Sequence, residues 1–231
     1  MTDRPMIFSA PMVRALMAGR KTQTRRVIKL NGYLPDFCGG RGDREDPTCW
    51  GWEDPEHGDW VTLEKDPGQR MGWRDWRGAY RPGDRLWTRE AHAFVPVSAY
   101  RNSLFVEQRP DPCDPIRAAI YREGFDRSTG SIRWRPSIHM PRWASRLTLL
   151  VTDVRVQRLQ EISEADAVAE GVDAVSMDDV PRQAALSRRS DFAALWNSLH
   201  GPDAWDANPW CAAISFTVHR CNIDQMEATH A

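Results

Sequence analysis

No apolar run in this chain approaches the roughly 20 residues that a helix needs to cross a bilayer, which leaves a soluble protein as the expectation. An excess of charge is missing too. Lys plus Arg number 31 against 32 for Asp plus Glu, a formal net charge of -1, so long-range attraction to a polyanion is not built in. Any nucleic-acid contact therefore has to be local, through a cleft with its own basic lining. There is no phosphate-cradling P-loop and no dinucleotide fingerprint, which leaves nucleoside-triphosphate hydrolysis and hydride transfer without support. Cys38, Cys49 and His57 share one stretch, yet no Cys-x-x-Cys or His-x-x-x-His pair anchors zinc, so neither a metal nor a cofactor is expected. The five cysteines are odd in number and widely spaced, with no secretory signal, which points to free thiols in a reducing cytoplasm. No internal repeat or long low-complexity tract is present.

What the chain has in quantity is tryptophan. Eleven are many for 231 residues, and Trp50, Trp52, Trp60, Trp73 and Trp76 sit in polar surroundings. Such side chains either seal a thinly packed insertion or stack on bases, and sealing is the commoner role. They fall in a stretch from Leu30 to Pro82 that is rich in Gly, Pro and Asp and has no sustained apolar period. It reads as an insertion at about 31–80, with Cys49 to Trp52 and Asp59 to Leu63 able to form a hairpin. A second irregular insertion is read at 96–116.

The remaining sequence carries regular patterns. Val13, Leu16 and Met17 at helical spacing, with Ser9 as cap, Pro11 in the first turn and Gly19 at the end, predict a short helix over 10–18. Thr22 to Ile28 and Leu86 to Ala91 predict strands, the latter after a Pro-Gly-Asp turn. A strand is predicted within 118–121, a long central one within 145–158, and a closing one within 210–218. Ser163 before carboxylates opens a helix that Gly171 ends, and Phe192, Leu195, Trp196 and Leu199 mark another. Few helices alternate with strands. The expected class is α+β, mainly β: a small, mostly antiparallel barrel with peripheral short helices, a single domain over 1–220 and a flexible tail over 221–231.

The chemistry is densest in Gly19-Arg-Lys-Thr-Gln-Thr-Arg-Arg26, directly after the first helix. An amine, a hydroxyl and guanidinium forks lie within one turn and strand, which suits a pocket for a polar or anionic ligand. A solvated basic strand is the alternative. In a regular strand positions 21 and 24 face opposite ways, so both line one pocket only if the chain turns before the strand begins.

These residues resemble a known family. Gly19-x-Lys21-x-x-Thr24-x-Arg26 after a short helix, then Pro82-Gly-Asp-Arg-Leu-Trp87, then Ala169-Glu170-Gly171-Val172, then Ile214-Ser-Phe216, look like the ASCH domain of the PUA-like β-barrels. The segment Arg135 to Trp143 is similar to one in larger ASCH proteins of phages and prophages. The resemblance covers most of the chain outside 31–80 and 96–116. Some small ASCH proteins are amidohydrolases that remove the acetyl group from N4-acetylcytidine, and matching motif to motif puts the catalytic roles on Lys21, Thr24 and Glu170. Others in the family are thought to bind or cut RNA, so the fold alone does not fix an activity.

On this reading the partner is a modified nucleoside or RNA. Arg20 crowds the lysine, and Arg26 is the candidate for steadying a developing oxyanion. Trp87, Arg89 and Glu90 follow the Gly-Asp turn toward the expected barrel mouth, where an ion pair is the alternative role for the two charged residues. His139 is a candidate ligand contact or a structural hydrogen-bonder, and Arg142 a candidate ligand contact beside a packing Trp143. Two rivals are a binding module without turnover, and a phage-related accessory protein whose 31–80 insert contacts a protein partner.

Overall fold

The computed structural model describes residues 1–76, 79–126, 132–172 and 187–226. In chain order its elements are β1 (Asp3–Ile7), α1 (Ala10–Met17), β2 (Gln23–Val27), β3 (Asp36–Phe37), β4 (Trp50–Glu53), β5 (Trp60–Thr62), β6 (Arg85–Arg89), β7 (His92–Pro96), β8 (Gln108–Asp111), β9 (Asp114–Tyr121), β10 (Thr148–Arg158), α2 (Glu164–Ala169), α3 (Arg188–His200) and β11 (Trp210–His219). The protein is mixed α/β, mostly strands with few helices. The chain divides into two compact units. One holds 1–21, 83–151 and 216–231, the other 22–82 and 152–215, so β10 and β11 each pass through both.

In the first unit β1 runs parallel to β6, with Met6 opposite Thr88, and β6 pairs antiparallel with the start of β10. A second sheet has the order β7-β9-β8, and a bulge interrupts it at Pro110 and Asp111. The second irregular segment therefore contains β8 and the start of β9, which its Pro and Asp content had hidden. Ala93, Val106 and Ile120 form one core cluster of this unit, and Tyr121, Met140 and Ala144 belong to another. The described chain stays packed as far as Ile223. Ile223 is buried, and Asn222 donates through its side-chain amide to the carbonyls of Arg142, Trp143 and Ser145 at 2.9, 3.2 and 2.8 Å. Three carbonyls on one amide anchor residues that the polar composition of 221–231 marks as tail; residues 227–231 lie outside the described part.

In the second unit β2 pairs antiparallel with β11, Thr24 opposite Ile214 and Arg26 opposite Ala212. α2 and α3 supply Ala167, Phe192 and Trp196 to a core that includes Leu159, Ile162 and Cys211. Leu199, at helical spacing with these, is exposed, because the apolar stripe of α3 narrows at its C-terminal turn. The hairpin predicted in the Trp-rich segment is present as β4 and β5, with β3 added on the other side of β4. The guanidinium of Arg158 lies 4.6 Å from the Trp50 ring and 4.4 Å from the Trp210 ring, so this tryptophan seals the insertion.

The sheets are open, and a closed barrel is not shown. β1 and β2 are end strands in the pairing order. Local periodicity predicts strands well, but closure depends on shear and pairing between distant segments, which periodicity does not encode. Among the described residues no helix is long and apolar enough to cross a membrane.

Gly51 is the point of closest approach in the small sheet. A Cβ there would sit 2.3 Å from the Val61 carbonyl oxygen and 2.9 Å from the Thr62 Cα, both backbone atoms that cannot swing aside. Gly51→Ala is expected to destabilise by about 1–3 kcal/mol through overpacking, seen as a lower melting temperature and a changed near-ultraviolet tryptophan signal in circular dichroism. An unchanged melting curve would show that β4 and β5 separate without cost.

Candidate functional site

α1 ends on Gly19, whose φ of 70° takes the left-handed conformation that glycine adopts without strain. The amides of Arg20 and Lys21 both then turn back to the Ala15 carbonyl, at 2.9 and 3.2 Å. A turn is thus complete before β2 starts at Gln23. It leaves Arg20 exposed and Lys21 buried, with only 2% of its surface accessible and its Nζ 5.9 Å from the centre of the Phe8 ring. A buried ammonium is uncommon, and an aromatic face is one of the few apolar neighbours that favours it.

In the second unit the Thr22 amide donates to the Ala169 carbonyl at 2.8 Å, fastening the start of the strand segment to the end of α2. The strand's alternation then sorts its side chains. Gln23 and Arg25 face α2. Arg25, whose side chain is fully buried, donates through Nη1 to Gln23 Oε1 at 2.6 Å and to Glu170 Oε1 at 3.2 Å, and through Nη2 to Asp166 Oδ2 at 3.2 Å. Its guanidinium lies 5.9 Å from the Phe192 ring. Asp166 also accepts from Arg155 at 2.9 Å and from Gln23 Nε2 at 3.1 Å. Burial acts to raise the Asp166 pKa, but the hydrogen bonds from Arg155 and Gln23 and the charge of Arg25 outweigh it and hold the carboxyl at about 2.

α2 is a device for presenting two acids to one guanidinium. The Ser163 hydroxyl caps it by accepting from the Asp166 amide at 3.0 Å, Glu170 closes its C-terminus, and Gly171 turns the chain away at φ 76°. Asp166 and Glu170 are four residues apart and so share a helix face. Both Arg25 and Asp166 escape motif matching, although the parity of Arg25 with Gln23 and the four-residue spacing of the acids are signals in the sequence. Thr24, 2% exposed, and Arg26 take the other face of β2, level with Ile214 and Ala212. Burial lowers the Arg26 pKa, with Tyr80 and Glu170 acting against it.

The remaining predicted residues lie in the first unit. Trp87 is buried, and the Arg89 guanidinium lies 5.4 Å from its ring while also donating to the Ile138 carbonyl. Glu90, 2% exposed, receives two 2.9 Å bonds from Arg146, whose guanidinium lies 4.1 Å from the Tyr121 ring and reaches Glu107 at 2.6 Å. Burial pushes the Glu90 carboxyl up against the opposing pull of Arg146. His139 is exposed on a short 3-10 turn. Arg142 bridges Asp3 at 2.5 Å and Asp224 at 2.6 Å, while Trp143 stacks on Phe94 with centroids 5.7 Å apart. Glu90, Arg89 and Arg142 thus hold protein partners. Among the described residues no group of three or more His, Cys, Asp or Glu is placed to hold a metal.

No family model, curated protein or solved structure matches the chain. The geometry therefore carries the reading of this site. What it offers chemically is a buried, charge-compensated acid pair against one face of β2 and a buried hydroxyl on the other, on a strand fastened by its backbone to the acid-bearing helix.

The depressed pKa of Asp166 sets a stability window. A carboxyl that ionises more readily folded than unfolded adds stability above its unfolded value near 3.8, and that stability is lost as pH falls toward about 2. The difference corresponds to on the order of 2 kcal/mol. Urea midpoints measured between about pH 6 and pH 2 should therefore fall more steeply for the native protein than for Asp166→Asn, which lacks the titrating group. Parallel curves would show that Asp166 is not held by its arginines in solution.

Proposed function

We propose that this chain is an ASCH-type protein of the PUA-like class that takes a modified nucleobase, nucleoside or short RNA segment and hydrolyses an amide on it, as in deacetylation of N4-acetylcytidine. The observation that carries the reading is the hydrogen bond from the Thr22 amide to the Ala169 carbonyl. Within the second unit it fastens the start of the strand that carries Thr24 to the end of the helix that leads into Glu170. Burial supports it as well, since Lys21, Thr24 and Glu170 are each no more than 4% exposed. Solvated charges on a surface strand would not be desolvated in this way.

In this mechanism the Thr24 oxygen attacks the amide carbonyl carbon while a neutral Lys21 amine takes its proton. Arg26 steadies the oxyanion of the tetrahedral intermediate. The proton that Lys21 took passes by way of Glu170 to the departing nitrogen as the carbon–nitrogen bond breaks, leaving a neutral Lys21, an acyl ester on Thr24 and the free amine on the base. Water gives a proton to Lys21 as it attacks the ester, and Lys21 passes that proton to the Thr24 oxygen as the carbon–oxygen bond breaks, which releases the carboxylic acid and restores the hydroxyl. A second reading, recognition without turnover, is favoured by one observation: Arg25 holds Glu170 in a buried ion pair at 3.2 Å, an arrangement that suits a fixed strut better than a proton carrier.

Release of acetate from N4-acetylcytidine separates the two. The hydrolase reading expects turnover by the native chain, a loss of about a thousandfold or more in Lys21→Met, and retained turnover in Thr24→Ser, which keeps the hydroxyl. Absence of acetate release by the folded native protein would contradict hydrolysis. Retention of RNA with an affinity that falls steeply with salt would then support the second reading.

A further inference from the structure

The Trp-rich segment and β2 enclose a cavity of about 320 Å³ that the hydrolytic reading does not use, apart from Arg26 in its wall. Trp52, Trp73, Trp76 and Tyr80 supply aromatic surface, and Arg26 and Lys29 supply the charge. Among the described residues no carboxylate lines it. That combination discriminates between ligands. An aromatic cage for an alkylated ammonium requires an electron-rich wall free of competing cations, and two basic side chains work against it. A planar ring that carries carbonyl or ring-nitrogen acceptors and an attached anion satisfies both parts of the wall.

Two details show that the wall is built. The Trp52 indole is fixed by donating to the Tyr33 carbonyl at 3.1 Å, so its ring is oriented by the fold. Trp73, 8% exposed, starts a 3-10 turn whose preceding Gly72 amide is taken by Asp75 at 3.3 Å, and its indole N–H meets no acceptor among the described residues. A buried donor of this kind is met by an acceptor in most folded proteins. The volume lies at the lower end of the range for small-molecule sites, sufficient for a base and little more.

We propose that this cavity is a binding site for the base of a nucleotide, with the ring held by Trp52, Trp73, Trp76 and Tyr80 and the phosphate paired with Arg26 and Lys29. The proposal rests on the preceding reading for its ligand class only. The same chemistry is offered by a free mononucleotide and by a nucleotide within single-stranded RNA.

Isothermal titration of the full chain with CMP, cytidine, ribose 5-phosphate and a short single-stranded RNA tests it. CMP is expected to bind, with ribose 5-phosphate at least about tenfold weaker because it lacks the ring. Trp76→Ala should weaken CMP by a similar factor, and Trp73→Phe, which keeps a ring and removes the donor, by several-fold. Lys29 is exposed, so Lys29→Gln leaves folding intact, and it should narrow the preference for CMP over cytidine. Tighter binding of the RNA than of CMP assigns the site to RNA, and the reverse assigns it to the free nucleotide. No binding of any base-containing probe, or equal binding of ribose 5-phosphate, overturns the proposal; so does unchanged CMP affinity in Trp76→Ala and Trp73→Phe. Titration of Lys21→Met keeps this outcome separate from hydrolysis, since base binding should persist there whether or not the native chain releases acetate.

Discussion

Burying a guanidinium is costly unless its donors are met, and the second unit is organised around meeting the two terminal nitrogens of Arg25, while its Nε has no acceptor among the described residues. Its side chain is fully shielded from solvent, and Gln23, Asp166 and Glu170 accept from it. Those acceptors come from a strand and a helix distant in sequence. The demand for charge compensation therefore dictates that α2 end over β2, and the backbone bond from Thr22 to Ala169 follows the same geometry. Removing either acid would leave the buried cation only half compensated beside the core that holds Phe192 and Trp196.

The first unit solves a parallel problem with different parts. Arg146 is bonded on both forks to Glu90, reaches outward to Glu107, and lies against Tyr121. This network consumes Glu90, a residue whose position after a Gly-Asp turn invites a ligand-binding role. Glu90 meets Arg146 through both carboxylate oxygens, and Glu170 accepts from Arg25 at 3.2 Å.

Elements whose pattern is local were legible in the sequence. Ser163 and Gly171 bracket α2, Gly19 ends α1, and the alternation of Leu147, Leu149, Val151, Val154 and Val156 marks β10. The β4–β5 hairpin was legible from its turn residues alone. Closure was not, because it depends on which distant edges pair, and the sheets are open. The motif pointed to Lys21, Thr24 and Glu170, and each of the three is buried. It passed over Arg25 and Asp166 because their importance lies in a partnership across more than a hundred residues, which no window of sequence contains. It also placed Arg142 as a ligand contact, where Asp3 and Asp224, at the two ends of the chain, take its charge.

The dependence of the second unit on one buried cation can be measured as a coupling energy. A double-mutant cycle with Arg25→Met and Glu170→Gln, read by urea denaturation, isolates the pair from the other contacts of each residue. The account predicts that each single variant is destabilised by a few kcal/mol and that the double variant loses clearly less than the sum, with a coupling of about 1–3 kcal/mol. Additive losses, with no coupling between the two positions, would contradict it.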